Sequence, residues 1–399
     1  MRTEDVGSAG LAARRLVIAA LACGGFGIGV SEFLVMGLLP QISADLLPAL
    51  SRADPDAAHA ATGGLASAYA LGVVVGIITT PILVRRLSER WALIVCAGSM
   101  LLGTIATAFA PTLAIAIVLR FLSALTHASY IGVAAMLIAH LLVSGKYGRG
   151  SAIVHGGLTG ANLLGVPVLT ALGAAGDWRV ILGSTAVFFA VPLAALLAVR
   201  VPATAVATLE HTSGGIRPRS LLTLIAAAVL ATAGGFAIIT YVAPVIAVAR
   251  GGDDWVTGGW AMLAFGVGMN LGNFGSGWIA DRRPGAAFAG SAVAGALGAA
   301  LLLVPGIGGA GAVAAILLVG ICLGGGSPPG QVLYMRELLR YPRLASALPS
   351  GAGNLGSFVG ALAGGAILAG GGVGWIPIGA LALVGLGLLS FAAYRVARR

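Results

Sequence analysis

Charge is scarce in this 399-residue chain. Only 9% of its residues are Asp, Glu, Lys or Arg, while 58% are hydrophobic and mean hydropathy is +1.01. A soluble protein of this length needs far more charge to cover its surface, so a water-soluble domain is excluded. Lysine occurs once, at Lys146, and it is followed by Tyr147. His140 stands where the first glycine of a GxxxxGK[ST] phosphate-cradling loop belongs, which excludes ATP hydrolysis within this polypeptide. No HExxH occurs, and His59, His127, His140, His155 and His211 lack metal-ligand spacing. Cys23, Cys96 and Cys322 fall inside apolar stretches without paired spacing, which argues against a disulfide framework. Ser327, in the run Gly324 to Pro329, has no base at recognisable spacing, so that run reads as a helix kink. The chain is therefore read as not an enzyme, with no metal and no cofactor.

What the chain does have is long apolar stretches. A membrane-spanning helix needs about 20 such residues. The candidates run approximately over 16–39, 63–84, 91–110, 112–142, 151–174, 179–199, 221–248, 255–280, 286–305, 308–334, 343–369 and 374–395. The first is too long for a signal-peptide core and is read as a retained helix.

Nineteen of the 23 basic residues fall at the two ends and in every second gap between these stretches. The alternate gaps hold only Arg52, Arg179 and Arg250, and Arg120 lies inside a stretch. Short loops rich in Arg and Lys stay on the cytoplasmic side, so both termini are expected there, with twelve crossings. The formal net charge of +10 sits in these loops. It reads as an orientation signal and as contacts to anionic lipid heads, not as a nucleic-acid surface.

The two halves resemble each other. Gly72 and Gly76 align with Gly268 and Gly272 at an offset of 196, and Trp178 matches Trp375 at 197. Asn162 matches Asn354 at 192, and Gly24-Gly25-Phe26 matches Gly234-Gly235-Phe236. This predicts an all-α integral membrane protein of two pseudo-symmetric six-helix bundles, residues 1–200 and 221–399, joined by a cytoplasmic linker over 201–220. Internal repeats of this kind are the architecture of secondary transporters, with a substrate site near the bilayer midplane.

Two charges inside apolar stretches carry the functional reading. Glu32 and Arg120 each cost about 2.5–3.5 kcal/mol at the bilayer centre on insertion scales, so each wants a partner or a water-filled cavity. Burial favours the neutral carboxyl while a neighbouring guanidinium favours the charged one. A carboxyl poised between the two suits proton coupling; a static Glu–Arg clamp is the alternative. Asp45, near the outer end of the first stretch, is a second proton-pathway candidate. His127 shares a helix face with Arg120. With Tyr130, Asn162, Tyr241, Asn270 and Asn354, it either contacts substrate or bonds between helices. Phe33 and Met36 flank Glu32 and are read as lining an apolar pocket.

These residues resemble the major facilitator superfamily, and within it the drug:proton antiporters of the arabinose-efflux and chloramphenicol-resistance type. Gly29 to Phe33, Gly37 to Ile42 and Asp45 are similar to a GxxEFxxxGLLPxIxxD signature. The family's gating loop is matched by Gly277, Asp281 and Arg282 in the second half. In the first half Arg85 and Arg86 follow Gly76, with Pro81 and Arg85 replacing the motif's Gly and Asp. Arg120 is similar to the arginine of the family's fourth-helix motif, with Ala124 where Gly belongs. Gly165 and Pro167 resemble the antiporter motif, interrupted by Val166.

The resemblance implies a monomeric carrier of the bacterial inner membrane. It would export small, mostly apolar drug-like molecules against inward proton flow, with the proton gradient as its only energy source. A sugar or other metabolite carrier, a uniporter, and a non-transporting receptor or scaffold are the alternatives. Sparse intramembrane polar residues and only 6% aromatics tilt the cargo toward apolar molecules.

Overall fold

The computed structural model describes residues 3–84, 87–142, 147–199, 218–253, 255–280, 282–338 and 342–398. Among these residues every regular element is helical. That follows from the solvent: within lipid only a helix or a closed barrel satisfies all its own backbone groups. Twelve long helices track the predicted stretches. They are α1 (Gly10–Gly37), α2 (Pro55–Thr80), α3 (Glu89–Ala108), α4 (Leu113–Ile138), α5 (Ile153–Ala175) and α6 (Trp178–Ala198). The second half supplies α7 (Pro218–Thr240), α8 (Gly258–Ala280), α9 (Pro284–Leu301), α10 (Gly308–Glu337), α11 (Leu348–Gly371) and α12 (Val373–Ala397).

Eleven of the twelve are both long and apolar enough to cross a membrane. The exception is α8. Its 23 residues reach about 35 Å at 1.5 Å per residue, so length is not the obstacle. Asn270, Asn273 and Ser276 make it less apolar than its neighbours.

Several helices start on side-chain caps. Thr112 Oγ1 accepts from the Ile115 amide, and Asp54 Oδ1 accepts from the Ala57 amide at 3.0 Å with Pro55 opening the helix. Others break inside their span. In α4 the helix stops at Ala124 and resumes at His127. In α5 a π-helical turn spans Ala161–Gly165. In α10 the break falls at Gly326, where the sequence predicted a kink. After Tyr241, α7 continues as a short helix, Val242–Ala249.

The chain forms two compact units. The first comprises Met1–Glu32, Gly72–Ala161 and Arg179–Ala207; the second comprises Phe33–Leu71, Asn162–Trp178 and Thr208–Arg399. Most of the predicted linker, residues 201–217, lies outside the described residues.

In the first unit α2 crosses α4 with almost no side chain between them. A Cβ on Gly72 would meet the Phe121 carbonyl oxygen, and one on Gly76 would strike that of Leu125. Thr80 Oγ1 donates to the same Leu125 oxygen at 2.6 Å. Arginines also hold this unit at helix ends. Arg90 donates to Leu196 O and Leu197 O near the end of α6, and Arg179 donates to Ala108 O and Ala110 O at the end of α3. A cation beside the last carbonyls of a helix satisfies orphan acceptors and complements the dipole.

In the second unit α8 crosses α10 in the same manner. A Cβ on Gly268 would meet the Leu317 oxygen, and one on Gly272 would meet that of Ile321. Both glycines and both carbonyl partners lie 196 residues beyond their counterparts in the first unit. The internal offset seen in the sequence is therefore an offset between equivalent helix crossings.

Candidate functional site

Within the first unit, a charged centre forms where α4 meets the last third of α1. Arg120 is buried, only 2% exposed. Its Nη1 donates to Ser31 Oγ at 2.9 Å and its Nη2 to the Ser31 carbonyl at 2.8 Å. A planar guanidinium gives two donors in a fixed fork, so this pair fixes orientation as well as distance. Ser123 Oγ donates to the Arg120 carbonyl at 2.9 Å, tying the arginine's own turn. Glu32 follows Ser31 directly, is partly buried, and lies within electrostatic reach of Arg120. These two bonds go to the residue before the carboxyl and set the guanidinium beside Glu32.

Two further residues of α4 join this centre. His127 is buried and lies within electrostatic reach of both Arg120 and His155 of α5. Tyr130 is fully buried, and its hydroxyl donates to the Leu21 carbonyl at 3.1 Å. Gly24 lies so close to the Tyr130 ring that a Cβ there would overlap it. Tyr130 thereby supports α1 two turns and more before Glu32. Its hydroxyl bonds across the contact of α4 with α1.

Within the second unit, the apolar candidates gather around Phe33. Its ring lies 6.0 Å from that of Phe236 in a stacked arrangement and 5.2 Å from that of Phe265 in a tilted one. Such aromatic pairs add stabilisation beyond their buried area. Met36, one turn on, is also buried. Asn162 sits in the π-helical turn of α5, and its Nδ2 donates to the Met269 sulfur at 3.5 Å. There α8 comes so near that a Cβ on Gly266 would fall on the Asn162 carbonyl. Gly165 closes this turn, and Pro167 is the second residue of the α-helix that follows. The interrupted Gly-Pro pair therefore marks a change of helix type.

Other predicted residues make contacts elsewhere. The Tyr241 hydroxyl donates to the Ala361 carbonyl at 3.0 Å, between close glycines at 63, 364 and 365. Asn270 and Asn354 each donate 2.9 Å bonds to carbonyls one turn back in their own helices, Gly266 and Ser350. Asp45 is exposed and accepts from Trp178 Nε1 at 3.1 Å. Arg282 is exposed, with its guanidinium 5.9 Å from the Trp278 ring centre. Gly277 meets only Pro328 at ordinary contact distance. Arg85, Arg86 and Asp281 lie outside the described residues.

The sequence reading missed Ser31, His155, Phe265 and Met269. Ser31 and Arg120 are 89 residues apart, and no local pattern links them. Phe236 carried a signal, because it closes the second Gly-Gly-Phe run.

A multi-pass helical membrane protein with duplicated helix crossings and a buried arginine beside a carboxyl is a transporter by class. The model of the Major Facilitator Superfamily matches residues 21–348, and the chain belongs to that family. It is 31% identical over 386 residues to the inner membrane transport protein YdhP of Escherichia coli K12, covering 93% of each chain. It is 33% identical over 270 residues to the chloramphenicol resistance protein of Streptomyces lividans, covering 64% of each. Solved structures of the same fold include the nucleoside transporter NupG. That likeness has a TM-score of 0.72 at 13% identity and covers 97% of this chain and 99% of that one. The xylose transporter XylE from E. coli gives 0.68 at 14%, covering 96% and 97%.

Proposed function

We propose that this transporter exports small apolar or drug-like molecules in exchange for protons. The observation that carries the reading is the order of residues on α1. Arg120 is anchored at Ser31, Glu32 is the carboxyl beside it, and Phe33 begins an aromatic cluster. Proton chemistry and apolar contact thus occupy consecutive residues of one helix. Glu32 accepts the proton, Arg120 biases its charge state, and Asp45 assists at the end of α1. Phe33, Met36 and Asn162 contact cargo. His127, Tyr130, Tyr241, Asn270 and Asn354 position the helices around it, and Gly165 with Pro167 sets the bend of α5.

In this reading residues 1–200 and 221–399 are two bundles that work by alternating access, linked through 201–220. The chain works as a monomer in a bacterial inner membrane with both termini cytoplasmic, and the proton gradient is its only energy source. Gly76, Arg85, Arg86, Gly277, Asp281 and Arg282 form the paired inward gates. Coupling requires that proton and cargo favour opposite conformations, because a ligand with equal affinity for both shifts nothing. The chloramphenicol-related names among its relatives favour amphenicol-like cargo.

Everted vesicles offered a panel of amphenicols, cationic dyes and sugars in the external medium test this reading. Amphenicol or dye uptake that collapses on adding a protonophore is the expected result. Sugar flux that is indifferent to the gradient overturns it.

A further inference from the structure

The second unit contains a cavity of about 470 Å³, of whose lining the transport reading uses only Arg282. It forms where helix ends converge: α8 runs out before it, α9 begins beside it, and α10 and α12 finish at it. Its rim is basic. Arg282, Arg283, Arg336, Arg395 and Arg398 all line it, and all are exposed. Its floor is apolar, with Leu333 and Phe391 both buried.

One carboxylate borders this cluster, and its oxygens are already engaged. Glu337 is 9% exposed; its Oε2 accepts from Ser220 Oγ at 3.0 Å, and its Oε1 accepts from the Tyr394 hydroxyl at 3.0 Å. Arg398 Nε pairs with the same Oε1 at 3.2 Å. The charge of Arg398 is thereby matched. Among the described residues, no carboxylate pairs with the other four arginines. From residue 280 onward the sequence has eight arginines against Asp281 and Glu337 alone.

Arginines that line one cavity repel one another unless an anion joins them. Arginine forks suit phosphate oxygens, which they bind in pairs. The ends of α9, α10 and α12 belong to segments long and apolar enough to cross a membrane, which puts the cavity at the level of lipid headgroups. Its apolar floor gives the glycerol end of a lipid a surface to lie on, which a free phosphate ion does not need. We propose that this cavity binds the phosphate of an anionic glycerophospholipid, held by Arg283, Arg336 and Arg395 above Phe391 and Leu333.

Native mass spectrometry of the purified full-length protein, titrated with phosphatidylglycerol, cardiolipin and phosphatidylcholine, tests the assignment. The two anionic lipids should be retained in preference to phosphatidylcholine. Arg283→Gln with Arg336→Gln should weaken their retention about thirtyfold, given the typical contribution of each interfacial arginine. Arg336→Lys, which keeps the charge, should restore most of it. If the double variant does not fold, Arg395→Gln is measured alone and should still show reduced retention. Unchanged retention in the folded variants overturns the proposal. Inorganic phosphate that binds the wild-type cavity while no lipid preference appears makes it a free-phosphate site, which also overturns the assignment.

Discussion

The crossing of α2 with α4 and the crossing of α8 with α10 are the same device built with different residues. In each, two glycines four residues apart bring one helix against carbonyl oxygens of the other. The difference lies on the partner helix. In α10, Gly320 and Gly324 return the contact, each lying against a carbonyl of α8. The positions 196 residues earlier are Ala124 and Ala128. The charge differs too: position 120 is the buried Arg120, and its counterpart is the buried Ile316. On α1, Glu32 corresponds through the Gly-Gly-Phe alignment to Val242, also buried. Duplication kept the packing and specialised the chemistry. The first half holds the charges, and the second half packs apolar side chains in their places.

This comparison can be broken most sharply at the carboxyl. Glu32→Gln should reduce gradient-driven export in vesicles to the level seen without a gradient, while equilibrium binding of cargo persists. Full-rate export by that variant would remove Glu32 from the coupling scheme. Next comes the arginine. Arg120→Ala deletes two bonds from a charged donor and should lower stability by about 3 kcal/mol, read from thermal unfolding in detergent. Arg120→Lys keeps the charge but not the fork, so it should recover only part of that loss.

The glycines give the next effect. Gly76→Ala and Gly272→Ala each force a methyl onto a carbonyl oxygen and should each cost about 1–3 kcal/mol. Matching losses would sharpen the equivalence of the two crossings, and a large disparity would break it. Gly320→Ala should fall in the same range, whereas the reverse change Ala124→Gly should cost only about 0.5–1 kcal/mol. The tyrosines give effects of similarly small size. Tyr130→Phe and Tyr241→Phe each remove one hydroxyl-to-carbonyl bond, worth about 1 kcal/mol in a stability assay. A cargo affinity altered severalfold by either would instead mark a residue facing the ligand.

The helices were legible because lipid imposes a length and an apolar composition that few soluble sequences imitate. The family signature around Glu32 was legible because it is contiguous. The repeat was legible through Gly72, Gly76, Gly268 and Gly272, since close helix approach admits few other residues. The Arg120–Ser31 fork was not legible, because it joins residues 89 apart through a choice of rotamer. The roles of Tyr130 and Tyr241 were hidden for a related reason. A tyrosine in an apolar helix reads the same whether its hydroxyl meets a ligand or a backbone carbonyl. The arginine-lined cavity was visible only as loop charge. Its residues come from separate segments, and only the folded helix ends bring them together.

The π-helical turn at Ala161–Gly165 has a geometric consequence for α5. One additional residue in a turn rotates everything downstream by about 100° relative to an unbroken α-helix. Pro167, Thr170 and Gly173 therefore face a direction that periodicity counted from Val154 would assign to other positions. Deleting a single residue within 161–165 would remove the wide turn and swing that segment back by the same angle. The register of this short insertion decides which side chains of α5 look inward.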